Sequence, residues 1–251
     1  MNFTILRYDS IDSTNTEALN QAKRGADEGL CVVAREQSAG RGRHGRTWVS
    51  KPNAGLYFSL VLRPKIENKF LPLITLMSAV AVSDVLRNLF RLETDIKWAN
   101  DIHVNEKKIC GILAEMCETQ TGMAIVVGIG INLNSRNFPP ELAGIATSIE
   151  AETTQTPHVE DLLTSLTESL SQFYQILNGA NGAEKIRDEW TRRSSYASGK
   201  SVRVKLVGET ITGTTCGIEE NGALRVQTAD GDIKIVQAGD VELLRKIEQE
   251  R

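Results

Sequence analysis

Four β-type runs lie almost end to end between residues 96 and 133: Ile96 to Trp98, Ile102 to Val104, Lys108 to Cys117 and Met123 to Leu133. The turns joining them, among them Asn105-Glu106 and Thr121-Gly122, are only a few residues long. A parallel strand pair needs a crossover of a dozen or more residues, so these strands must fold back on one another as hairpins. The sheet is therefore mixed or antiparallel, and a doubly wound parallel sheet is excluded.

The flanking pattern predicts an α+β fold with helices beside that sheet. A strand is expected near Phe3 to Tyr8, then a helix opened by Thr14 with Glu17 completing a capping box and ending near Gly25. Leu30 to Ala34 reads as a buried strand, and Leu56 to Leu62, weakly alternating and rich in β-forming residues, as another strand. Apolar residues at 70, 73, 74, 77, 81 and 85 predict a helix over Phe70 to Phe90, and the same spacing predicts helices over Val159 to Leu177 and Glu184 to Arg193. From Ser201 onward the period changes. Short runs (Val202 to Val207, Thr210 to Ile218, Leu224 to Thr228, Ile233 to Val236) are punctuated by Gly208, Asn221-Gly222 and Asp230-Gly231, the signals of a small β-barrel. At 251 residues the chain suits one large domain, 1–194, and one small domain, 195–251.

Composition removes several function classes. Apolar residues make up 41% and charged residues 24%, as in ordinary globular chains, and the net charge is -3, so there is no global basic field to collect nucleic acid or anionic lipid. Residues 196–251 hold 8 Lys plus Arg against 9 Asp plus Glu, which disfavours a phosphate-binding role for the small unit. The four cysteines form no CxxC pair and the three histidines lie far apart, so zinc spacing is missing and a reducing, cytoplasmic setting is expected. Asp9 and Asp12 stand where a signal peptide needs an apolar run, and the most apolar stretch, Leu71 to Leu86, is broken by Pro72, Thr75, Ser78, Ser83 and Asp84.

The segment Gly40-Arg41-Gly42-Arg43-His44-Gly45-Arg46 satisfies G-x-G-x-x-G after an expected strand. A dinucleotide-binding turn must open a helix, yet Thr47-Trp48-Val49-Ser50-Lys51-Pro52 supplies strand formers and a proline. What remains is three guanidinium groups on a glycine backbone, able to offer forked donors to several phosphate oxygens at once. A solvated basic loop or an arginine-glycine RNA segment has the same composition. Lys97-Trp98-Ala99-Asn100-Asp101 gathers a cation, an aromatic face, an amide and a carboxylate at a strand junction. That set suits a nucleotide and its metal, with Asp101 or Asn100 as candidate Mg²⁺ ligands, and it also suits a plain turn. Along Lys107-Lys108-Ile109-Cys110-Gly111-Ile112-Leu113, alternation sends Lys108, Cys110 and Ile112 to one face and Ile109 and Gly111 to the other. A lysine at that position can neutralise a carboxylate and a phosphate as they approach, or simply protect a sheet edge. Gly128-Ile129-Gly130-Ile131-Asn132 sets its glycines on one face, where a flat ligand or another backbone can lie close.

Taken in order, Asp12-Ser13-Thr14-Asn15, Glu36-Gln37-Ser38-Ala39-Gly40-Arg41-Gly42-Arg43, Lys97 to Asp101, Lys107 to Leu113 and Gly130-Ile131-Asn132-Leu133 resemble the motifs of the biotin protein ligases. The resemblance covers residues 8–135 strongly and the C-terminal segment more loosely. It implies a class II aminoacyl-tRNA synthetase-like catalytic domain with a small SH3-like barrel. The short form is expected, without the DNA-binding domain of the family's repressors, because Phe3 already begins the catalytic fold. The same resemblance implies that Ser13, Thr14, Asn15, Gln37, Gly40, Arg41, Gly42, Arg43, Lys108 and Gly111 bind biotin. Arg43, Arg46, Trp48, Lys97, Asn100, Asp101 and Asn132 would form the ATP side, with Arg43 and Lys108 as the catalytic pair. Metal ligands stay open beyond Mg²⁺ carried on the ATP phosphates, with Asp101 a candidate. The chain departs from the usual motif at Ala99, commonly proline, and at Ser38, often threonine.

The implied activity is that of a biotin-[acetyl-CoA-carboxylase] ligase, which forms biotinyl-5'-AMP from biotin and ATP and passes biotin to a lysine of the biotin carboxyl carrier protein. DNA and membrane are not expected partners, and a homodimer through an exposed sheet edge is left open. The rival readings are a lipoate or octanoate ligase-like acyltransferase, sharing the fold family, and a non-catalytic RNA-binding protein using the arginine-glycine loop.

Overall fold

A computed structural model describes residues 1–136, 138–206 and 208–244. Val207, at the end of one expected strand, and residues 245–251 of the expected small domain lie outside them. Seven strands, β1 (Thr4–Ile11), β2 (Leu30–Gln37), β3 (Gly55–Leu62), β4 (Asp95–Lys97), β5 (Asp101–Val104), β6 (Lys107–Thr119) and β7 (Gly122–Asn132), form one sheet in the order β1-β2-β3-β7-β6-β5-β4. Only β1 and β2 pair in parallel, around the crossover helix α1 (Thr14–Lys23); every other ladder is antiparallel, as the short turns require. Asn105 and Glu106 make the β5–β6 turn with φ of 50° and 63°, the backbone a two-residue hairpin needs.

Helix α1 begins where expected but is capped one residue earlier. Ser13 is extended and its side chain accepts from the Thr16 N–H, while Glu17 accepts from the Tyr8 hydroxyl and the Gln21 amide instead of closing a capping box. Thr14 is unavailable as the cap because its N–H and hydroxyl both donate to Gln37 Oε1, at 2.8 and 3.1 Å.

Strand alternation sorts the layers. Leu56, Phe58, Leu60 and Leu62 join the main core beneath helices α2 (Leu73–Phe90), α4 (Val159–Leu177) and α5 (Gly182–Arg193), with the one-turn α3 (Ile149–Glu152) preceding α4. On the opposite face Val61 meets Ala18 and Ala22 of α1 in a smaller cluster with Val32, Ala124 and Val126. By length and composition α2 is apolar enough to cross a membrane, yet 72% of it is buried inside the protein.

The C-terminal unit is a five-stranded antiparallel sheet of β8 (Ser198–Lys205), β9 (Thr210–Ile218), β10 (Leu224–Gln227), β11 (Ile233–Val236) and β12 (Asp240–Leu243), ordered β11-β10-β9-β8-β12. Among the described residues no ladder joins β11 to β12. Its apolar face, including Val202, Val204, Leu224 and Val226, is continuous with the main core. The Asn221-Gly222 turn is the docking point: Trp98 Nε1 donates to Gly222 O at 2.9 Å, and a Cβ on Gly222 (φ +86°) would stand 2.8 Å from Leu76 Cδ1 and 3.0 Å from Leu73 Cδ2. A Gly222→Ala substitution therefore combines a disfavoured backbone with overpacking, and urea unfolding should show a loss of about 2 kcal/mol.

Candidate active site

The floor of the site follows from one strand's alternation. On the α1 face, β7 presents Ala124 and Val126 beneath the helix, then Gly128 and Gly130 beyond its N-terminal end. Gly130 pairs across the ladder with Gly111 of β6, which leaves a patch of sheet without side chains. Trp48 lies on it: a Cβ on Gly130 would be 2.5 Å from the indole Cε2 and Nε1, and one on Gly111 would be 2.8 Å from Cζ3. A Cβ on Gly128 would be 2.1 Å from Asn15 Oδ1. The bare face expected for a flat ligand or another backbone thus carries an indole and an amide of the chain itself.

Three segments wall the cleft. The N-terminal end of α1 brings Ser13, Thr14 and Asn15, tied to Gln37, which in turn donates to Ser50 at 2.7 Å. Buried Ser59 of β3 lies 2.8 Å from Thr14 Oγ1 and 2.6 Å from Asn15 Oδ1. The arginine-glycine loop is a self-bonded hairpin arm. Trp48 N donates to Gly40 O at 2.9 Å, Gly42 N to Arg46 O at 2.7 Å, Arg41 bridges Thr47, and His44 takes φ 54° at the tip. At the arm's root Gly40 has no room for a side chain, since its Cβ would be 2.4 Å from Trp48 O.

The third wall carries Lys108, and it corrects the expectation from alternation. Ile102 pairs with Cys110 but His103 pairs with Lys108, so Ile109 is the extra residue of a β-bulge. The bulge turns Lys108 onto the Gly111 face, with Cε and Nζ 3.0 and 3.1 Å from where a Gly111 Cβ would stand; Cys110 and Ile112 go to the core. Lys108 Nζ lies 2.7 Å from Asp101 Oδ1, a contact angled as an ion pair rather than a hydrogen bond, and 5.3 Å from the Trp48 ring centre.

Lys108 and the three arginines of the arm each hold a partner from their own chain. Arg41 Nη2 meets Glu115 at 2.7 Å, Arg43 donates to Asn100 Oδ1 at 2.8 Å and to Gly239 O at 3.2 Å, and Arg46 pairs with Asp240. Burial lowers the Lys97 pKa, with the Asp101 charge opposing it. These pairs are mostly solvent-accessible and individually weak, so anionic ligands can replace the carboxylates.

Two sequence models match this chain: the biotin/lipoate A/B protein ligase family over residues 8–132 and the biotin protein ligase C-terminal domain over residues 197–244. The bifunctional ligase/repressor BirA of Bacillus subtilis is 36% identical over 244 residues, covering 95% of this chain and 74% of that protein. The biotin-[acetyl-CoA-carboxylase] ligase of Mycobacterium tuberculosis is 31% identical over 239 residues, covering 93% and 86%. This chain belongs to the biotin/lipoate A/B protein ligase family. The biotin protein ligase of Aquifex aeolicus, solved with biotin and ATP, superposes with a TM-score of 0.82 at 30% identity over 97% of this chain and 99% of that one.

Of the residues singled out from this ligase-like sequence, Ser13, Thr14, Asn15, Gln37, Arg41, Gly42, Arg43, Trp48, Asn100, Lys108 and Gly111 line the one cleft. Gly40, Arg46, Lys97, Asp101 and Asn132 do not line it. Asn132 gives its amide protons to Thr147 O at 2.9 Å and Lys108 O at 3.4 Å, which fixes the backbone that carries the lysine. Sequence reasoning missed Tyr57, Phe58, Ser59 and Glu115. The signal for the last two was a hydroxyl inside the apolar run of β3 and an acid on the Gly111 face of β6.

Behind the cations, His103 is held neutral: burial first, then the Lys97 charge, lowers its pKa to about 4 from the usual 6.5. The unfolded chain takes up a proton below about pH 6.5 while the folded one does not, so this histidine subtracts stability as pH falls from 6.5 toward 4. The full difference, reached near pH 4, is about 3 kcal/mol. Thermal melts of wild type and His103→Gln should converge near pH 7 and diverge toward pH 4.5 in the variant's favour.

Proposed function

We infer that this chain activates biotin with ATP to biotinyl-5'-AMP and transfers it to a lysine of a biotin carboxyl carrier protein, the acetyl-CoA carboxylase subunit by analogy with its named relatives. The observation that carries the reading is the single cleft in which the α1 terminus, the arginine-bearing arm and Lys108 converge over a side-chain-free floor. Biotin's carboxylate oxygen attacks the α-phosphorus, an acyl–phosphate bond forms, the α–β anhydride breaks and pyrophosphate leaves. Two anions must approach, and Lys108 and Arg43 supply positive charge already in position. The carrier amine then attacks the acyl carbon, an amide forms, AMP departs with the bonding pair and the amine's proton passes to solvent.

In this reading Ser13, Thr14, Asn15 and Gln37 hold biotin's polar groups, with Gly111 beneath and Arg41 above. Asn100 and Arg46 face the nucleotide, Lys97 adds its charge from behind them, Asn132 holds the backbone of Lys108, and Trp48 is the stacking surface where the two ligands meet. Among the described residues no group of three His, Cys, Asp or Glu side chains is placed to hold a metal. That donor set fits Mg²⁺ riding on phosphates, which needs only one or two protein carboxylates. Asp101 is the residue that would reach it, and the ion would neutralise phosphate charge. The four cysteines are free, which supports a reducing, cytoplasmic setting. A homodimer belongs to the same reading: β5 pairs only with Lys107–Gly111, and Asn100 and Asn15 cover Ile112 and Leu113, so the end of β6 beyond them has an open edge, where Met116 is 67% exposed.

Exchange of labelled pyrophosphate into ATP tests the reaction. It should depend on biotin and not on lipoate; exchange driven by lipoate alone, or none with either acid, overturns the reading. Lys108→Met should slow exchange by about 10²–10³-fold at saturating substrates. Arg43→Ala should let the adenylate escape, measured as hydroxamate formed with hydroxylamine; an unchanged hydroxamate yield removes that role from Arg43.

A further inference from the structure

Glu115 is a carboxylate beside a site whose two substrates are both anions, a position where unpaired negative charge would oppose binding. Its two oxygens face different walls. Oε1 accepts from Arg41 Nη2 at 2.7 Å, and Oε2 accepts from Asn15 Nδ2 at 3.0 Å. Asn15 is held in turn: its Nδ2 also donates to Leu113 O at 3.2 Å, its Oδ1 is 2.6 Å from Ser59 Oγ, and that oxygen rests on the Gly128 floor. The side chain of Glu115 is 22% exposed and that of Arg41 45%, so the bridge runs from the half-buried floor to the outer arm.

We propose that Glu115 is a positioning residue that couples occupancy of the biotin pocket to closure of the arginine arm, by holding Asn15 with one oxygen and Arg41 with the other. This rests on the biotin reading of the cleft. A ligand that fixes Asn15 fixes the carboxylate, and the carboxylate fixes Arg41. The assignment divides the arginines by task. Arg41 is reserved for closing the arm, while Arg43 and Arg46, whose partners are an amide, a carbonyl and a carboxylate that holds no group of the biotin pocket, are the ones an incoming phosphate can recruit.

Glu115→Gln keeps one acceptor oxygen but sets an amide group against one of two donors, so the bridge is cut at one end without a change of volume. In pyrophosphate exchange this variant should raise the KM for biotin about tenfold while kcat stays near wild type. Limited trypsin digestion at Arg41, Arg43 and Arg46 gives a second readout. Biotin should slow cleavage of the arm in wild type and leave it unchanged in Glu115→Gln, whereas ATP should protect both. Arg41→Ala should reproduce the KM effect, and the double variant should lose less than the product of the single losses, which also covers the case of a Glu115 variant that does not fold. Protection by biotin in Glu115→Gln, a fall in kcat at constant KM, or fully multiplicative losses would each overturn the coupling. If wild type shows no biotin-dependent exchange, the function proposed above fails instead. The bridge is then judged from the ligand-free proteins, where Glu115→Gln should be cut faster than wild type, an equal rate counting against it.

Discussion

Because Gly111 and Gly130 face each other across β6 and β7, the sheet has a gap in its side chains that a flat ring can enter to van der Waals contact, and Trp48 lies there. Neither glycine tolerates even a methyl group beneath that ring. The consequence reaches along the chain, because Trp48 also closes the root of the arginine arm through its backbone bond to Gly40. The arm therefore has a fixed root, and its tip is tied down by contacts that a ligand can replace. Lys108 stands over the same indole, and the buried Nε1 finds no acceptor in the described residues.

The charges are arranged around that floor in graded fashion. Lys97 and His103 are buried most deeply and have their charged forms disfavoured by burial, while Arg41 and Arg46 of the arm are accessible and paired with carboxylates. A buried fixed charge costs several kcal/mol to desolvate, whereas an exposed ion pair contributes at most about 1 kcal/mol. Phosphate oxygens thus meet cations that exchange partners cheaply, and the deeper groups set the potential behind them.

Much of this was legible in the sequence. Short turns dictated the antiparallel order of β4 to β7, and helical spacing fixed Val159 to Leu177 to the residue. The glycines of β7 marked the floor. What escaped depends on tertiary competition. Thr14 looked like a cap, but Gln37 arrives from 23 residues away and takes both of its donors. Lys108 looked as though it shared a face with Cys110, and a single bulged residue at Ile109 reverses it. Alternation cannot foresee a bulge, since the period of two carries no record of an inserted residue. Glu115 was passed over for another reason: although it shares the face of Gly111, a lone acid on a strand reads as solvent-facing, and only the fold brings Asn15 and Arg41 to its two oxygens.

The C-terminal sheet belongs to the electrostatics of the cleft and not only to its support. Arg43 reaches Asn100 on the first sheet with one nitrogen and Gly239 O beside β12 with the other, and Arg46 meets Asp240 in the same strand. A guanidinium offers its donors in a rigid planar fork, so it can satisfy both acceptors only while the two sheets keep their spacing. That spacing is set elsewhere, where the Trp98 indole donates to Gly222 O and the leucines of α2 pack beneath the turn. The angle at which Arg43 enters the cleft is then decided by a contact on the far side of Trp98, which makes the second sheet part of the apparatus that aims the charge.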